Sequence, residues 1–257
     1  MSLNIFTIAR NTFREAVRDR VLYNLVVFVL LITASAIFLG ELTGGQEART
    51  IVNLGLSAML LFGAFISIFV GVSLVSKEIE RRTVYSVLSK PIGRGEFVVG
   101  KYLGLCLTLL VNVLIMGVGV SLALLYVGGG QFAFSIWGAI CLIFFELTIL
   151  TGVAILFSSF SSPALSALLT FLVFIIGNFS ASLRDFAQNL GSNAAKIFFN
   201  FLYYFLPNLS NYSFITNAAH GEVPPPAFFI TAIVYAFVYN AILIAAAVLI
   251  FRRRNFK

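Results

Sequence analysis

The chain of 257 residues is 60% hydrophobic and only 11% charged, with a mean hydropathy of +1.01. A water-soluble domain of this size could neither bury nor expose so much apolar surface, which leaves a polytopic membrane protein. The net charge of +7 raises nucleic acid as a partner, but the basic residues are spread over juxtamembrane segments rather than gathered on one soluble face, which excludes it.

The first element is residues 1–20. "NIFTIARNTFREAVRDRVLYNL" places Ile5, Ala9, Phe13, Ala16 and Val17 on one helical face, with Arg10, Arg14 and Arg18 at four-residue spacing on the other. This predicts an amphipathic helix in the membrane interface, which can anchor the first span, dock a partner, or do both. "ASA" at 34–36 mimics a signal cleavage site, but the apolar run continues through Ile37, Phe38 and Leu39 behind a long basic segment, so an uncleaved first span is expected.

A hydrocarbon core of about 30 Å needs about 20 apolar residues per helix. Six runs qualify as spans: 21–40, 54–75, 97–127, 136–157, 164–182 and 228–251. The third is long enough to project beyond the bilayer. The fourth and fifth are separated only by "SSFSSP", which makes a tight hairpin with Pro163 suited to start the fifth helix. The fold class expected is therefore an all-α integral membrane protein.

With the N-terminus inside, the basic residues divide unevenly. Arg10, Arg14, Arg18, Arg20, Lys77, Arg81, Arg82, Lys90, Arg94, Lys101, Arg252, Arg253, Arg254 and Lys257 fall on the inner side, against Arg49, Arg184 and Lys196 outside. That asymmetry predicts cytoplasmic N- and C-termini.

Between spans two and three, residues 76–96 are too many for a bare connection. Ser76 can cap a helix whose N-terminal end suits Glu78 and Glu80, with Lys90 near its end and Pro91 as its stop. The following "GRGEFVVGKY" carries the Gly95, Gly100, Lys101 spacing of a phosphate-binding loop. A nucleotide site would need Ser or Thr after the Lys and a strand before the loop; Tyr102 stands in that place and no strand precedes it, so the chain has no ATP site of its own.

The outer segment, 183–227, contains "KIFFNFLYYFLP", too short to span but rich in rings at Phe198, Phe199, Phe201, Tyr203, Tyr204 and Phe205, which predicts an interfacial or re-entrant helix. "HGEVPPPAFF" then turns the chain into the last span. A seventh span is disfavoured because it would place "RRRNFK" outside.

Inside the membrane the one deep acidic residue is Glu146, in "CLIFFELTILTG". A central carboxylate costs about 2.5–3.5 kcal/mol on the insertion scale, which the surrounding Leu, Ile, Phe and Val offset. Glu146 must face the bundle, where it either marks a translocation path or gate or sits protonated and hydrogen-bonded to Ser or Thr of another span. Asn53, Asn112, Asn178 and Asn240 are expected to bond between helices. Cys106 and Cys141 lie in apolar runs as packing residues, and with one His no Cys/His metal cluster is expected. Met59, Met116 and His220 give little support for direct copper handling, and the 28 Phe suit lipid contact and packing as well as a hydrophobic cargo.

The stretch "SLVSKEIERRTVYSVLSKPIGRGEFVVGKYLG" resembles the Glu-Arg-x-x-Thr, Leu-Leu-x-x-Pro-x-x-Arg, Gly-Lys block of ABC-2 type transporter permeases, matching at Glu80, Arg81, Thr83, Leu88, Pro91, Arg94, Gly100 and Lys101, with Val87 in place of one leucine. The layout of the whole chain is similar as well, most of all to the permeases associated with maturation of multicopper enzymes such as nitrous-oxide reductase. The resemblance implies a prokaryotic inner-membrane permease, an exporter subunit that forms a homodimer or a pseudo-dimer with a second permease and binds two separately encoded ATPase subunits, which hold ATP and Mg; no cofactor is implied for this chain. It also implies that 76–96 is the coupling helix, with Glu78, Glu80, Arg81 and Arg82 as charged contacts and Pro91, Gly93, Gly95, Gly100 and Lys101 as the joint to the third span.

Two other classes stand beside it. A lipid-modifying enzyme would need clustered nucleophiles or metal ligands near the interface, which the sequence does not offer. A secondary carrier or channel would show matched broken spans or rings of charge; Glu146 keeps a proton-coupled carrier open.

Overall fold

Backbone amides and carbonyls have no water to bond in hydrocarbon, so a chain this apolar must close its hydrogen bonds within helices. The computed structural model describes residues 2–18, 20–41, 43–80, 93–180, 182 and 193–253, and all regular structure among them is helical. In chain order these are α1 (Ser2–Val17), α2 (Arg20–Glu41), α3 (Glu47–Glu80), α4 (Arg94–Tyr126), α5 (Gly130–Ser158), α6 (Pro163–Asn178), α7 (Asn193–Phe205), a 3-10 turn (Leu209–Tyr212), α8 (Ile215–Ala219) and α9 (Pro226–Arg253).

Five of these helices are long and apolar enough to cross a membrane, over Tyr23–Gly40, Glu47–Ser73, Gly95–Tyr126, Gly130–Ser158 and Pro226–Phe251. The fifth run of the sequence, 164–182, instead forms α6, with Pro163 in its first turn and 16 residues in all. At 1.5 Å per residue that is about 24 Å, short of the roughly 30 Å hydrocarbon core. Beyond it, the 3-10 turn packs on α5 and α6, and α8 packs on α3 and α5. The close approach falls at Gly177, where an added methyl group would stand 2.8 Å from Leu209 Cγ and 2.9 Å from the Pro207 carbonyl oxygen.

A second difference concerns Ser76. α3 runs without a break from Glu47 to Glu80, so Ser76 lies inside the helix and not at its N-cap. "SLVSKEIE" contains no Gly or Pro, and Lys, Glu and Ile continue a helix more readily than Ser stops one. The second span and the start of the 76–96 segment are thus one rod.

α5 is the central helix. It is apolar on all sides and buried along most of its length, from Ala133 to Ser158, as expected of a helix enclosed by others. α3, α4, α6 and α9 all pack on it. Small residues set the approaches: a methyl group on Gly63 of α3 would meet Leu147, and one on Gly152 of α5 would meet Asn240 and Leu243 of α9. α2 and α9 present large apolar side chains outward, including Phe28, Phe38, Phe237 and Leu249.

Candidate functional site

α4 is the helix through which most of the singled-out residues are organised. It starts at Gly93, whose extended backbone (φ −66°, ψ 139°) leads into the first turn, and Glu96 Oε2 accepts from the Gly93 N–H at 3.4 Å. Gly95 lies against Val248 of α9, and Phe97 stacks on Phe251 with ring centroids 5.8 Å apart.

Gly100 and Gly104 form the seat for α1. A methyl group on Gly100 would stand 2.7 Å from Ile8 Cβ, and one on Gly104 would stand 2.5 Å from the Ala9 carbonyl oxygen and 2.6 Å from Thr12 Cβ. Two glycines four residues apart leave one groove along a helix, which is how small residues let two membrane helices touch backbone to backbone. Lys101 lies between them, 4% exposed, with Nζ 3.6 Å from Glu15 Oε2 of α1 and 5.8 Å from the centre of the Phe97 ring. Glu15 is half exposed, so the ammonium group is drawn toward water while its stem packs among apolar groups.

The seat rotates α1 relative to the face expected from its hydrophobic residues. Thr12 and Ala16 are the buried positions, Ile5, Ile8, Ala9, Phe13 and Val17 are partly buried, and Arg10, Arg14 and Arg18 are exposed. Thr12 has no side-chain hydrogen bond among the described residues. A buried Thr on an amphipathic helix is not what periodicity selects; the legible signal was Gly-x-x-x-Gly in its partner.

Glu78 and Glu80 lie on the last turn of α3, and Arg94 is the first residue of α4. Arg81, Arg82, Thr83, Leu88 and Pro91 lie outside the described residues. The two described rods therefore carry both ends of the 76–96 segment, and its middle is defined by sequence alone.

Glu146 is 1% exposed on α5. Its Oε1 accepts from Asn178 Nδ2 at 2.8 Å, and the same amide donates to the Phe174 carbonyl at 3.1 Å. The partner is thus an amide at the end of α6 and not the Ser or Thr expected, because α6 stops level with Glu146 and presents its last residue there. Oε2 has no hydrogen-bond partner among the described residues. Tyr212 lies close by, donating to the Ala232 carbonyl at 2.8 Å; burial pushes its phenol above the usual range, with Tyr235 and then Glu146 adding to the shift. Around it, Ser180 and Ser210 both donate to Asn208 Oδ1, at 2.5 and 2.6 Å, and the Asn208 N–H donates to Tyr235 at 3.0 Å. The Glu146–Asn178 bond thus ties α5 to the end of α6, and a separate polar group fastens the segment after α7 to Ser180 and to α9.

The other asparagines divide. Asn240 Nδ2 bonds Thr148 Oγ1 across helices at 3.2 Å, whereas Asn112 donates to Thr108 of its own helix at 2.8 Å, and Asn53 is exposed. The interhelical expectation fails for Asn112 because Thr108 places its carbonyl one turn back along the same helix.

A family model described as ABC-2 family transporter protein matches residues 6–256. The chain belongs to the ABC-2 transporter family. No match was found among curated proteins. Membership makes the chain an ABC transporter permease and a multi-pass membrane protein, in a family whose permeases work with ABC ATPase subunits and are typically non-enzymatic themselves. The match begins inside α1 and ends beyond α9, so it takes in α1 and its seat on α4.

Proposed function

We propose that the chain is the membrane-spanning half of an ABC exporter, working as a homodimer or a pseudo-dimer with a second permease and driven by two separate ATPase subunits that hold ATP and Mg. The observation that carries this is the family match over residues 6–256; Glu78 and Glu80, on the last turn of α3, stand at the start of the segment proposed to dock the ATPase. The five long helices and the run 164–182, which contains α6, make up the proposed six spans, with 183–227 outside and both termini cytoplasmic in a prokaryotic inner membrane. In that orientation α3 and α4 extend to the cytoplasmic surface, and residues 76–96 reach the ATPase.

Glu78, Glu80, Arg81 and Arg82 then make charged contacts with the ATPase, Thr83 and Leu88 shape the docking helix, and Pro91, Gly93, Gly95 and Arg94 pass its displacement to α4. ATP can drive the permease only by binding more tightly to the ATPase arrangement that goes with one of its two states. Export is supported by the family resemblance, and the branch associated with multicopper-enzyme maturation is the first place to look for cargo.

The test is co-purification after co-expression with the ATPase encoded beside this chain. Co-elution that is lost in Glu80→Ala with Arg81→Ala supports the docking segment; a wild-type chain that never binds an ATPase overturns it. A second reading, a proton-coupled carrier, is favoured by one observation, the buried Oε2 of Glu146, which has no hydrogen-bond partner among the described residues. Transport lost in Glu146→Gln with assembly intact places Glu146 on a path, and unchanged transport assigns it to its bond with Asn178 alone.

A further inference from the structure

α1 has three faces, and its seat on α4 uses one of them. Thr12 and Ala16 are the buried positions, and Ile8 and Ala9 lie beside them over Gly100 and Gly104. At 3.6 residues per turn, Phe6, Phe13 and Val17 fall together along one edge of that buried face, and Arg10, Arg14 and Arg18 fall beyond them, opposite the seat. Phe6 is 72% exposed, Phe13 and Val17 are partly buried, and all three arginines are exposed. Glu15, the one acidic residue of α1, is taken up by Lys101, and none of the three arginines has an acidic partner among the described residues.

A basic stripe alone is satisfied by water; two features put this one at a lipid surface. The first is depth. The apolar stretch of α4, Gly95–Tyr126, has 32 residues and is about 48 Å long. Centred on a hydrocarbon core of about 30 Å, it projects about 9 Å at each end. Gly100 and Gly104 stand about 8 and 14 Å along α4 from Gly95, so the seat of α1 falls where hydrocarbon begins. The second feature is the apolar edge between the seat and the arginines. Rings on one side and guanidinium groups on the next is the arrangement of a helix at the boundary of acyl chains and headgroups, where each part meets its own kind. A partner in the aqueous phase would match the arginines and leave Phe6 without a reason to be exposed at this depth. Three unpaired positive charges at that level are complementary to a negatively charged leaflet.

We propose that Arg10, Arg14 and Arg18 form a binding surface for anionic phospholipid headgroups, with Phe6, Phe13 and Val17 set among the acyl chains. The surface needs no ATPase, so its test is separate from that of the transport reading. The full-length chain in neutral detergent is titrated with micellar phosphatidylglycerol or phosphatidylcholine, and hydrogen exchange across 5–17 is followed by mass spectrometry. Phosphatidylglycerol is expected to slow exchange there at lower concentration than phosphatidylcholine. Arg14→Gln should raise the phosphatidylglycerol midpoint by roughly fivefold, and replacing all three arginines with Gln should leave no difference between the lipids. Salt at about 1 M, which confines charge interactions to about 3 Å, should shrink the preference in the wild type, a measurement that needs no variant. Equal slowing by the two lipids in the wild type overturns the proposal, as does a preference that survives in the triple variant or is indifferent to salt. If the ATPase encoded beside this chain slows exchange across 5–17 and phosphatidylglycerol does not, the basic face belongs to the ATPase and the proposal fails.

Discussion

Replacing Gly104 with Ala tests whether α1 is seated on α4 or merely lies beside it. The new methyl group would stand 2.5 Å from the Ala9 carbonyl oxygen and 2.6 Å from Thr12 Cβ, against about 3.5–4.0 Å for ordinary carbon contacts. A backbone oxygen cannot rotate away, so α1 must move outward by about 1 Å, a gap that forfeits a quarter to a half of each contact along the seam. Overpacking of this kind costs about 1–3 kcal/mol. The same displacement lengthens the 3.6 Å Lys101–Glu15 pair and weakens the compensation of a lysine that is only 4% exposed. Glu15 is half in water, so that loss is smaller than for a fully buried pair. Gly95→Ala on the same helix is the control: its methyl group meets Val248 at 3.4 Å, which is ordinary contact, and in the first turn Ala is at least as favourable as Gly. Thermal unfolding in detergent, with tryptic release of α1 at Arg14 and Arg18 as the local readout, should show Gly104→Ala melting several degrees lower and cut faster, with Gly95→Ala at or above the wild type. Equal melting and equal cleavage of the two variants would refute the seat.

Other substitutions give sharp contrasts. Glu146→Gln keeps an oxygen for Asn178 Nδ2 and should melt close to the wild type, whereas Glu146→Leu removes that acceptor and should cost about 1–3 kcal/mol by chemical or thermal unfolding. Gly177→Ala drives a methyl group against Leu209 and Pro207 and should raise hydrogen exchange across 206–214 while leaving α9 protected; unchanged exchange there would show that the segment is held by something else. A double-mutant cycle of Thr148→Val and Asn240→Leu should return a coupling of about 0.6 kcal/mol and no more than about 1.7, the range of hydrogen bonds between membrane helices.

Much of this was legible because hydropathy and charge act over whole segments. Long apolar runs produced long helices, and the polar connections fell between them. The errors were local. Ser76 reads as a cap only if a helix ends before it, and nothing in "SLVSKEIE" ends one. Within the run 164–182, α6 closes at Asn178, which hydropathy does not foresee because it cannot weigh the hydrogen bond that Asn178 gives to Glu146. Thr12 is invisible to periodicity, since its burial is dictated by glycines about 90 residues further along the chain. The same Gly100 and Lys101 that imitate a phosphate-binding loop are the residues that receive α1: glycine serves close approach in both settings, and only the helix around it shows whether the thing approached is a phosphate or another helix.

α4 links three features that are far apart in the sequence. Its first turn follows the 76–96 segment, its second and third turns hold α1 through Gly100, Lys101 and Gly104, and Val99, Leu103 and Cys106 form one wall of an apolar groove shared with α5 and α9. Backbone-to-backbone packing at Gly104 leaves α1 and α4 no room to slide past each other in small steps, because close-packed seams shift between discrete arrangements and do not deform smoothly. A displacement delivered to the start of α4 must therefore either carry α1 with it or break the Lys101–Glu15 pair, and in both cases it moves one wall of the groove relative to α5. α5, the helix most buried by its neighbours, is the reference against which that movement occurs. It follows that a disulfide joining α1 to α4 across the Gly104 seat should leave any ATP-driven cycle intact if α1 travels with α4, and arrest it if the cycle requires the seam to open.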